Sequence, residues 1–115
     1  MSRMLSGTLV SNMHESERRI NLSPEANNDL ISIWIYGATE WSPEQADKHL
    51  FEIESVCDRL LGDTQLGKPR DELVVGVRSI VIRPHVIFYR VSKTRIEILR
   101  VLHQRKDVDT IFAAN

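Results

Sequence analysis

Residues 78–109, with the sequence RSIVIRPHVIFYRVSKTRIEILRVLHQRKDVD, decide the fold of this chain. The segment contains most of three runs that are rich in β-branched and aromatic residues, which is typical of β-strands. The polar connections between the runs are short enough for hairpins, so the sequence predicts a three-stranded antiparallel meander. The predicted strands are residues 77–83, 86–91 and 95–102, and a polar, basic exit follows at residues 103–107.

The last predicted strand carries apolar side chains on both of its faces. Strict alternation would place Ile98 and Leu102 on one face, and Leu99 and Val101 on the other. We therefore expect helices to cover one face of the sheet and the opposite face to be covered only in part.

Two helices are predicted ahead of the meander. Ser23 and Ser42 are each followed by a Pro-Glu pair. Serine is a good N-cap, proline suits the first helical position, and the negative charge of glutamate interacts favourably with the positive end of the helix dipole. Apolar residues at helical spacing follow both caps, and Gly62 is placed to end the second helix. Because almost no loop separates the two helices, they should form an antiparallel hairpin. Before them, residues 18–22 alternate polar and apolar side chains, which predicts a short strand.

The predicted fold is therefore α+β, in the order N-terminal strand, antiparallel helical hairpin and three-stranded antiparallel meander. A chain of 115 residues fits one domain, which we place at residues 18–112 after a predicted disordered leader at residues 1–17. The connection at residues 64–76 is expected to be polar and mobile. The apolar runs are too short for a membrane span, and the lone Cys57 is expected to be a buried thiol in a reducing compartment. We therefore expect a cytoplasmic protein.

The net charge of −1 conceals an asymmetry between the two halves of the chain. Residues 1–63 carry 5 Lys/Arg and 11 Asp/Glu, whereas residues 64–115 carry 10 and 5. A basic second half could meet an acidic partner or a phosphate backbone. This excess of positive charge is modest for a nucleic-acid-binding domain, and charge segregation also arises without a binding function.

The sequence contains no Gly-rich phosphate loop, CxxC pair, HExxH motif or GxSxG motif. No metal ion or other cofactor is therefore expected, and His49 is interpreted as a boundary histidine. Basic and aromatic residues do gather in the meander, and a metal-free ribonuclease can be built from such groups. Strand alternation limits this possibility, because Tyr89 and Arg90 point to opposite faces. The candidate cluster comprises Arg78, Arg83, His85, Tyr89 and Arg100.

Four segments of the chain follow one another in a specific order. They are SPEANNDLISI at residues 23–33, GKPRDELVVGVR at 67–78, HVIFYR at 85–90 and RVLHQRKDVD at 100–109. Together they resemble the RelE/ParE toxin superfamily, and within it the ParE branch. The resemblance covers residues 18–112, and its last two segments are the most specific.

This resemblance implies the toxin of a type II toxin–antitoxin pair. A ParD-type antitoxin would hold the toxin inactive, and the free toxin would poison DNA gyrase as a non-catalytic inhibitor. No membrane and no sequence-specific nucleic-acid binding are expected. The resemblance places the gyrase contacts at the end of the meander. The candidates are His103, Arg105, Lys106 and Asp107.

An alternative within the superfamily is the RelE branch, whose members cut messenger RNA in the ribosome. Those enzymes use basic residues and usually a Tyr or His close to the C-terminus as acid and base. Residues 109–115 supply neither a Tyr nor a His. Because His103 and Arg105 lie in the region that RelE enzymes use, the nuclease alternative stays open.

The first predicted helix is apolar on more than one side, and such a helix is covered on more than one side. The resemblance implies that an antitoxin wraps a C-terminal segment across the helical hairpin and the sheet. Our candidates for antitoxin contacts are Ile31, Trp34 and Ile35. Core packing remains an alternative, above all for Trp34.

Overall fold

The computed structural model of this chain describes residues 18–113, so the predicted leader at residues 1–17 lies outside the described residues. A mixed sheet and two long helices make up most of the fold. In chain order the elements are β1 (Arg19–Leu22), α1 (Pro24–Glu40), α2 (Pro43–Leu60), β2 (Lys68–Pro69), β3 (Val77–Ile82), β4 (His85–Val91), β5 (Arg95–His103) and α3 (Val108–Ala113).

The five strands lie in the order β1-β5-β4-β3-β2. Strand β1 runs parallel to β5, and every other neighbouring pair is antiparallel. The predicted α+β fold, with its N-terminal strand, helical hairpin and antiparallel meander, is confirmed. Arg83 and Pro84, joined by a cis peptide bond, form the turn between β3 and β4.

Local capping explains where the two long helices begin. The Ser23 hydroxyl accepts a hydrogen bond from the backbone N–H of Ala26 at 2.9 Å, and Ser42 accepts one from Gln45 at 3.1 Å. The helices then approach closely, since a Cβ added at Gly37 would lie 3.3 Å from the Cβ of Ala46. Within the described residues, no helix is both long and apolar enough to cross a membrane.

The main core lies between the helical hairpin and one face of the sheet. Ile53 from α2, and Ile87 and Ile98 from the central strands, are almost fully buried there. Each such side chain contributes about 2 kcal/mol through the apolar surface that it removes from water. Cys57 is also buried, as expected, and burial raises the pKa of its thiol to about 12.

The expected alternation along β5 is wrong beyond Ile98. Phe88 of β4 pairs with Arg100, but the next residue, Tyr89, pairs with Ile98, so Leu99 is an extra residue in β5. This bulge reverses the faces of the residues that follow it. Val101 therefore joins Ile98 in the core under the helices, whereas Leu102 lies on the opposite face.

A second, smaller core covers that opposite face. Phe112 of α3 packs on Phe88 with ring centroids 5.1 Å apart, and Val77 and Leu102 complete the buried cluster. Helix α3 is absent from the sequence prediction. It explains how the second apolar face of the sheet is partly covered.

The connection expected to be polar and mobile contains a short strand. Lys68 and Pro69 form β2, opposite Ser79 and Arg78 of β3. The backbone N–H of Arg70 continues the pairing by donating to the Val77 carbonyl at 2.7 Å. The sequence did not predict this strand, because it forms on the otherwise unpaired edge of β3. The composition of the segment cannot reveal the hydrogen bonds that this edge offers.

Candidate functional site

An open groove lies between the helical hairpin and the distal end of the sheet. It encloses about 1170 Å³ and is bordered by α1, α2, the β3–β4 turn and the residues that follow β5. Most of its polar side chains are basic, so we call it the basic groove. The residues that define it are Lys48, His49, Arg83, His85, His103 and Arg105.

Three histidines from three different elements meet in the basic groove. His49 Nε2 of α2 lies 2.9 Å from His85 Nδ1 of β4, within hydrogen-bond distance. The His85 ring centroid is in turn 5.6 Å from that of His103 at the end of β5. At the outer end, His49 Nδ1 lies 3.5 Å from a carboxylate oxygen of Glu52. The three imidazoles thus connect the helical hairpin to the sheet.

The middle ring of this group is uncharged at neutral pH. Desolvation, followed by the neighbouring His49 and His103, lowers the pKa of His85 to about 4. His103 Nδ1 accepts the backbone N–H of Arg105 at 3.1 Å, which leaves Nε2 as the ring nitrogen that carries a proton. The groove therefore offers imidazole hydrogen-bond donors and acceptors beside the permanent charges of its Lys and Arg residues.

Arg100 lies outside the basic groove and joins the sheet to α1. Its Nε and Nη2 donate to the two carboxylate oxygens of Asp29 at 2.8 and 2.9 Å, which is a bidentate pair. The same carboxylate accepts the backbone N–H of Val101 at 2.9 Å, beside the bulge in β5. The bond to Asp29 raises the pKa of Arg100 above its usual value. In this position the guanidinium links β5 to α1.

Tyr89 and Arg78 bind the loop before β2. The buried Tyr89 hydroxyl donates to the Thr64 carbonyl at 2.9 Å and accepts the backbone N–H of Gly67 at 2.8 Å. Arg78 Nη1 donates to the Gly67 carbonyl. Burial raises the pKa of the Tyr89 phenol. A Cβ at Gly67 would lie 2.7 Å from the Ser79 carbonyl oxygen, so only glycine fits between the tyrosine and β3.

The structure therefore divides the basic and aromatic cluster proposed from the sequence. Arg83 and His85 lie in the basic groove, whereas Arg78, Tyr89 and Arg100 bind backbone or side-chain partners elsewhere. As alternation predicts, Tyr89 is buried and Arg90 is exposed.

Of the residues that define the groove, sequence reasoning missed Lys48 and also His49. Its partner His85 lies 36 residues away, and neither residue has a second histidine at helical or strand spacing to signal the contact. Among residues 18–113, no group of three or more His, Cys, Asp or Glu side chains is arranged to hold a metal ion.

The four residues proposed as gyrase contacts have different surroundings. His103 and Arg105 line the basic groove, and Lys106 is exposed beside them. Asp107 lies at the start of α3, where its carboxylate accepts the Thr110 hydroxyl at 2.7 Å and the Thr110 backbone N–H at 3.3 Å. These hydrogen bonds lower the pKa of Asp107, which acts as a cap for this short helix.

The three residues proposed as antitoxin contacts all belong to α1. Ile31 and Ile35 are one helical turn apart and are 51% and 54% exposed. Trp34 is partly buried, and its Nε1 donates to Asp47 of α2 at 2.7 Å. Two large apolar side chains on one turn of a helix form an uncovered stripe, to which Trp34 adds a partly buried neighbour.

Comparison with known sequences identifies one family. The family described as "ParE toxin of type II toxin-antitoxin system, parDE" matches residues 20–108. A protein named Toxin ParE1 from Mycobacterium tuberculosis is 38% identical over 92 residues, which cover 79% of this chain and 94% of that protein. A Toxin ParE1 from Caulobacter vibrioides is 39% identical over 83 residues, covering 72% of this chain and 85% of that protein.

Solved structures agree with this match. The structure described as the chromosomal ParDE TA system from P. aeruginosa superposes with a TM-score of 0.66 at 26% identity, covering 76% of this chain and 96% of that chain. The toxin–antitoxin complex RelBE2 from Mycobacterium tuberculosis shares the fold, with a TM-score of 0.57 at 20% identity over 73% of this chain and 94% of that chain.

Proposed function

This chain belongs to the ParE family of toxins of type II toxin–antitoxin systems, and from that premise we propose that it inhibits DNA gyrase and is neutralised by a ParD-type antitoxin. The observation that carries the proposal is the family match over residues 20–108, which spans both long helices and the whole meander. The ParDE system among the similar structures supports an antitoxin as the partner.

We assign the gyrase contact to the segment that leaves β5. His103 ends β5, where it pairs with His85 of β4, and Arg105 and Lys106 follow directly after the strand, so the sheet holds the start of this segment in place. Asp107 fixes the chain direction by capping α3. This segment acts by binding, so the protein is an inhibitor of an enzyme and requires no cofactor of its own.

We assign the antitoxin contact to the outer stripe of α1. Ile31 and Ile35 expose about half of their surface, and apolar side chains exposed together are typical of a binding face. Trp34 lies between them in sequence and offers the large, partly buried ring that is favoured at the centre of interfaces. An amphipathic antitoxin helix laid across α1 would bury all three side chains.

Expression of the toxin without an antitoxin tests this proposal in cells. Induction should arrest growth and activate the DNA-damage response, because gyrase that is trapped on cleaved DNA leaves strand breaks. Co-expression of the neighbouring antitoxin should restore growth. Arrest with intact DNA and no damage response would contradict the gyrase assignment.

A RelE-type ribonuclease is the second candidate, and one specific observation favours it. The structure brings His49, His85 and His103 together with Arg83 and Arg105, which are the residue types that acid–base cleavage of RNA requires. Mapping of messenger RNA ends after induction separates the two candidates. Codon-phased cuts that disappear in His103→Ala would support the ribonuclease, and their absence during growth arrest would reject it.

A further inference from the structure

The basic groove concentrates positive charge that the protein itself does not neutralise. Lys48, Arg83 and Arg105 are exposed, and among the described residues Glu52 is the only acidic side chain that lines the groove. Within residues 18–113, none of these three cations forms an ion pair, whereas Arg90 and Arg100 each have a carboxylate partner. A chain with a net charge of −1 therefore contains a local site with an excess of two positive charges.

An exposed pair of aromatic rings lies at the border of the same groove. Tyr36 and Trp41, at the end of α1, are 62% and 69% exposed, and their rings meet edge to face at 6.0 Å. Both residues line the groove, but little of either ring is buried against the protein. Large aromatic faces beside unpaired cations are the combination with which proteins bind single-stranded nucleic acids.

The size and openness of the groove agree with an extended ligand. Its volume of about 1170 Å³ exceeds the typical space for one drug-sized ligand, about 300–1,000 Å³, and its mouth is open to solvent. The cations come from α2, from the β3–β4 turn and from the segment after β5, so they surround the groove from three sides.

We propose that the basic groove binds the backbone of a single-stranded polynucleotide, without sequence preference, with unpaired bases stacked on Tyr36 and Trp41. Lys48, Arg83 and Arg105 neutralise phosphates, and His103 provides a hydrogen bond beside them. The groove would bind the strand without any other protein. The role of this binding rests on the proposed function, in which the strand is exposed DNA beside the gyrase cleavage site. Direct contact with that strand would help the toxin to hold the cleaved complex.

Fluorescence anisotropy of a labelled, mixed-sequence oligodeoxynucleotide tests the proposal with the purified full chain. If the groove contacts three phosphates, the logarithm of the association constant should fall linearly with the logarithm of the salt concentration, with a slope of about −2. The Arg83→Ala/Arg105→Ala variant should lose about 20-fold in affinity at 0.1 M salt, and its slope should become shallower by about 1.4. The matched control is Lys93→Ala/Arg95→Ala, which removes two exposed charges at the opposite end of β5 and should leave binding unchanged.

The stacking contribution is tested separately. Trp41→Ala should weaken binding by about tenfold with the salt slope unchanged, because stacking on an aromatic ring does not release counterions. Phe51→Ala removes an exposed aromatic side chain from α2 outside the groove and should have no effect. All of these positions are exposed, so the circular dichroism spectra of the variants should match that of the parent protein.

Other ligands distinguish a single-strand binding site from a purely electrostatic site or a site for an acidic protein. An oligoribonucleotide of the same sequence shows whether the groove prefers DNA or RNA, and tighter binding of either strand than of the duplex supports the proposal. Equal affinity for duplex DNA, or for a poly-glutamate peptide of equal charge, would overturn it in favour of a purely electrostatic or acidic-protein site. Failure of the oligonucleotide to bind while gyrase is still inhibited would remove this inference and leave the proposed function intact.

Discussion

The contact between Asp29 and Arg100 makes a strong prediction about stability. The Asp29 carboxylate accepts three hydrogen bonds, from Arg100 Nε at 2.8 Å, Arg100 Nη2 at 2.9 Å and the Val101 backbone N–H at 2.9 Å. Only 13% of the Asp29 side chain and 27% of the Arg100 side chain are exposed. Asp29→Ala therefore removes every one of these acceptors from a site that water reaches poorly.

The expected loss can be assembled from its parts. A buried N–H without a partner costs about 1–3 kcal/mol, and Val101 is 2% exposed. Breaking a fully buried ion pair costs about 3–5 kcal/mol, but the partly exposed guanidinium of Arg100 recovers part of its solvation. We expect Asp29→Ala to lower the free energy of unfolding by about 3 kcal/mol in total, and the melting temperature by at least about 12 °C.

Urea denaturation of the purified variants measures this loss. Arg100→Met leaves the bond between Asp29 and the Val101 N–H in place, so it should cost less, about 1–2 kcal/mol. The double variant should be about as stable as Asp29→Ala alone, which gives a coupling energy of about 1 kcal/mol or more. Arg90→Ala breaks the exposed pair with Glu97 and serves as the control, with an expected change within about 0.5 kcal/mol. A loss below about 1 kcal/mol for Asp29→Ala would refute the reasoning.

Three further predictions follow from other contacts. Tyr89→Phe leaves the buried Gly67 N–H without an acceptor and should cost about 2 kcal/mol in urea denaturation, whereas a loss below about 0.5 kcal/mol would contradict the hydrogen bond. The folded-state pKa of His85 is about 4, below the ordinary 6.5. The contribution of this residue to the free energy of unfolding is therefore fully present above pH 6.5 and is lost as pH falls toward 4. With the partial exposure of the ring discounted, we expect about 2 kcal/mol less stability at pH 4 than at pH 7 from this residue, and His85→Gln should show a correspondingly smaller difference between the two pH values. Ile31→Lys/Ile35→Lys should abolish co-purification of the antitoxin and change stability by less than about 1 kcal/mol, because both side chains are half exposed; undiminished co-purification would place the antitoxin elsewhere.

Much of the fold could be predicted because its signals are local. The serine caps at Ser23 and Ser42, each followed by Pro-Glu, predict the starts of both helices, and the β-branched runs predict the meander. Helix α3 also has a local signal that the prediction did not use, since Asp107 is a good N-cap and Ile111 and Phe112 follow at helical spacing.

The remaining features depend on contacts between distant residues. The bulge at Leu99 arises from the pairing of β4 with β5, and β5 contains no glycine or proline that would indicate a bulge in the sequence. Strand β2 exists because the edge of β3 is free, and Asp29 meets Arg100 across 71 residues of sequence. The same holds for the three histidines of the basic groove, which periodicity within one element could not bring together. Sequence reasoning selected His103, Arg105, Arg83 and His85 as candidates, but their neighbours Lys48 and His49 became groove residues only through the fold.

A supercoiling assay with purified gyrase tests the central claim most directly. The purified chain, added to gyrase with relaxed plasmid and ATP, should inhibit supercoiling and cause linear, cleaved plasmid to accumulate, and a stoichiometric amount of the antitoxin should reverse both effects. A variant that carries Ala at His103, Arg105 and Lys106 should be folded but much less inhibitory. Unchanged supercoiling without cleavage, at toxin concentrations well above that of gyrase, would contradict the account.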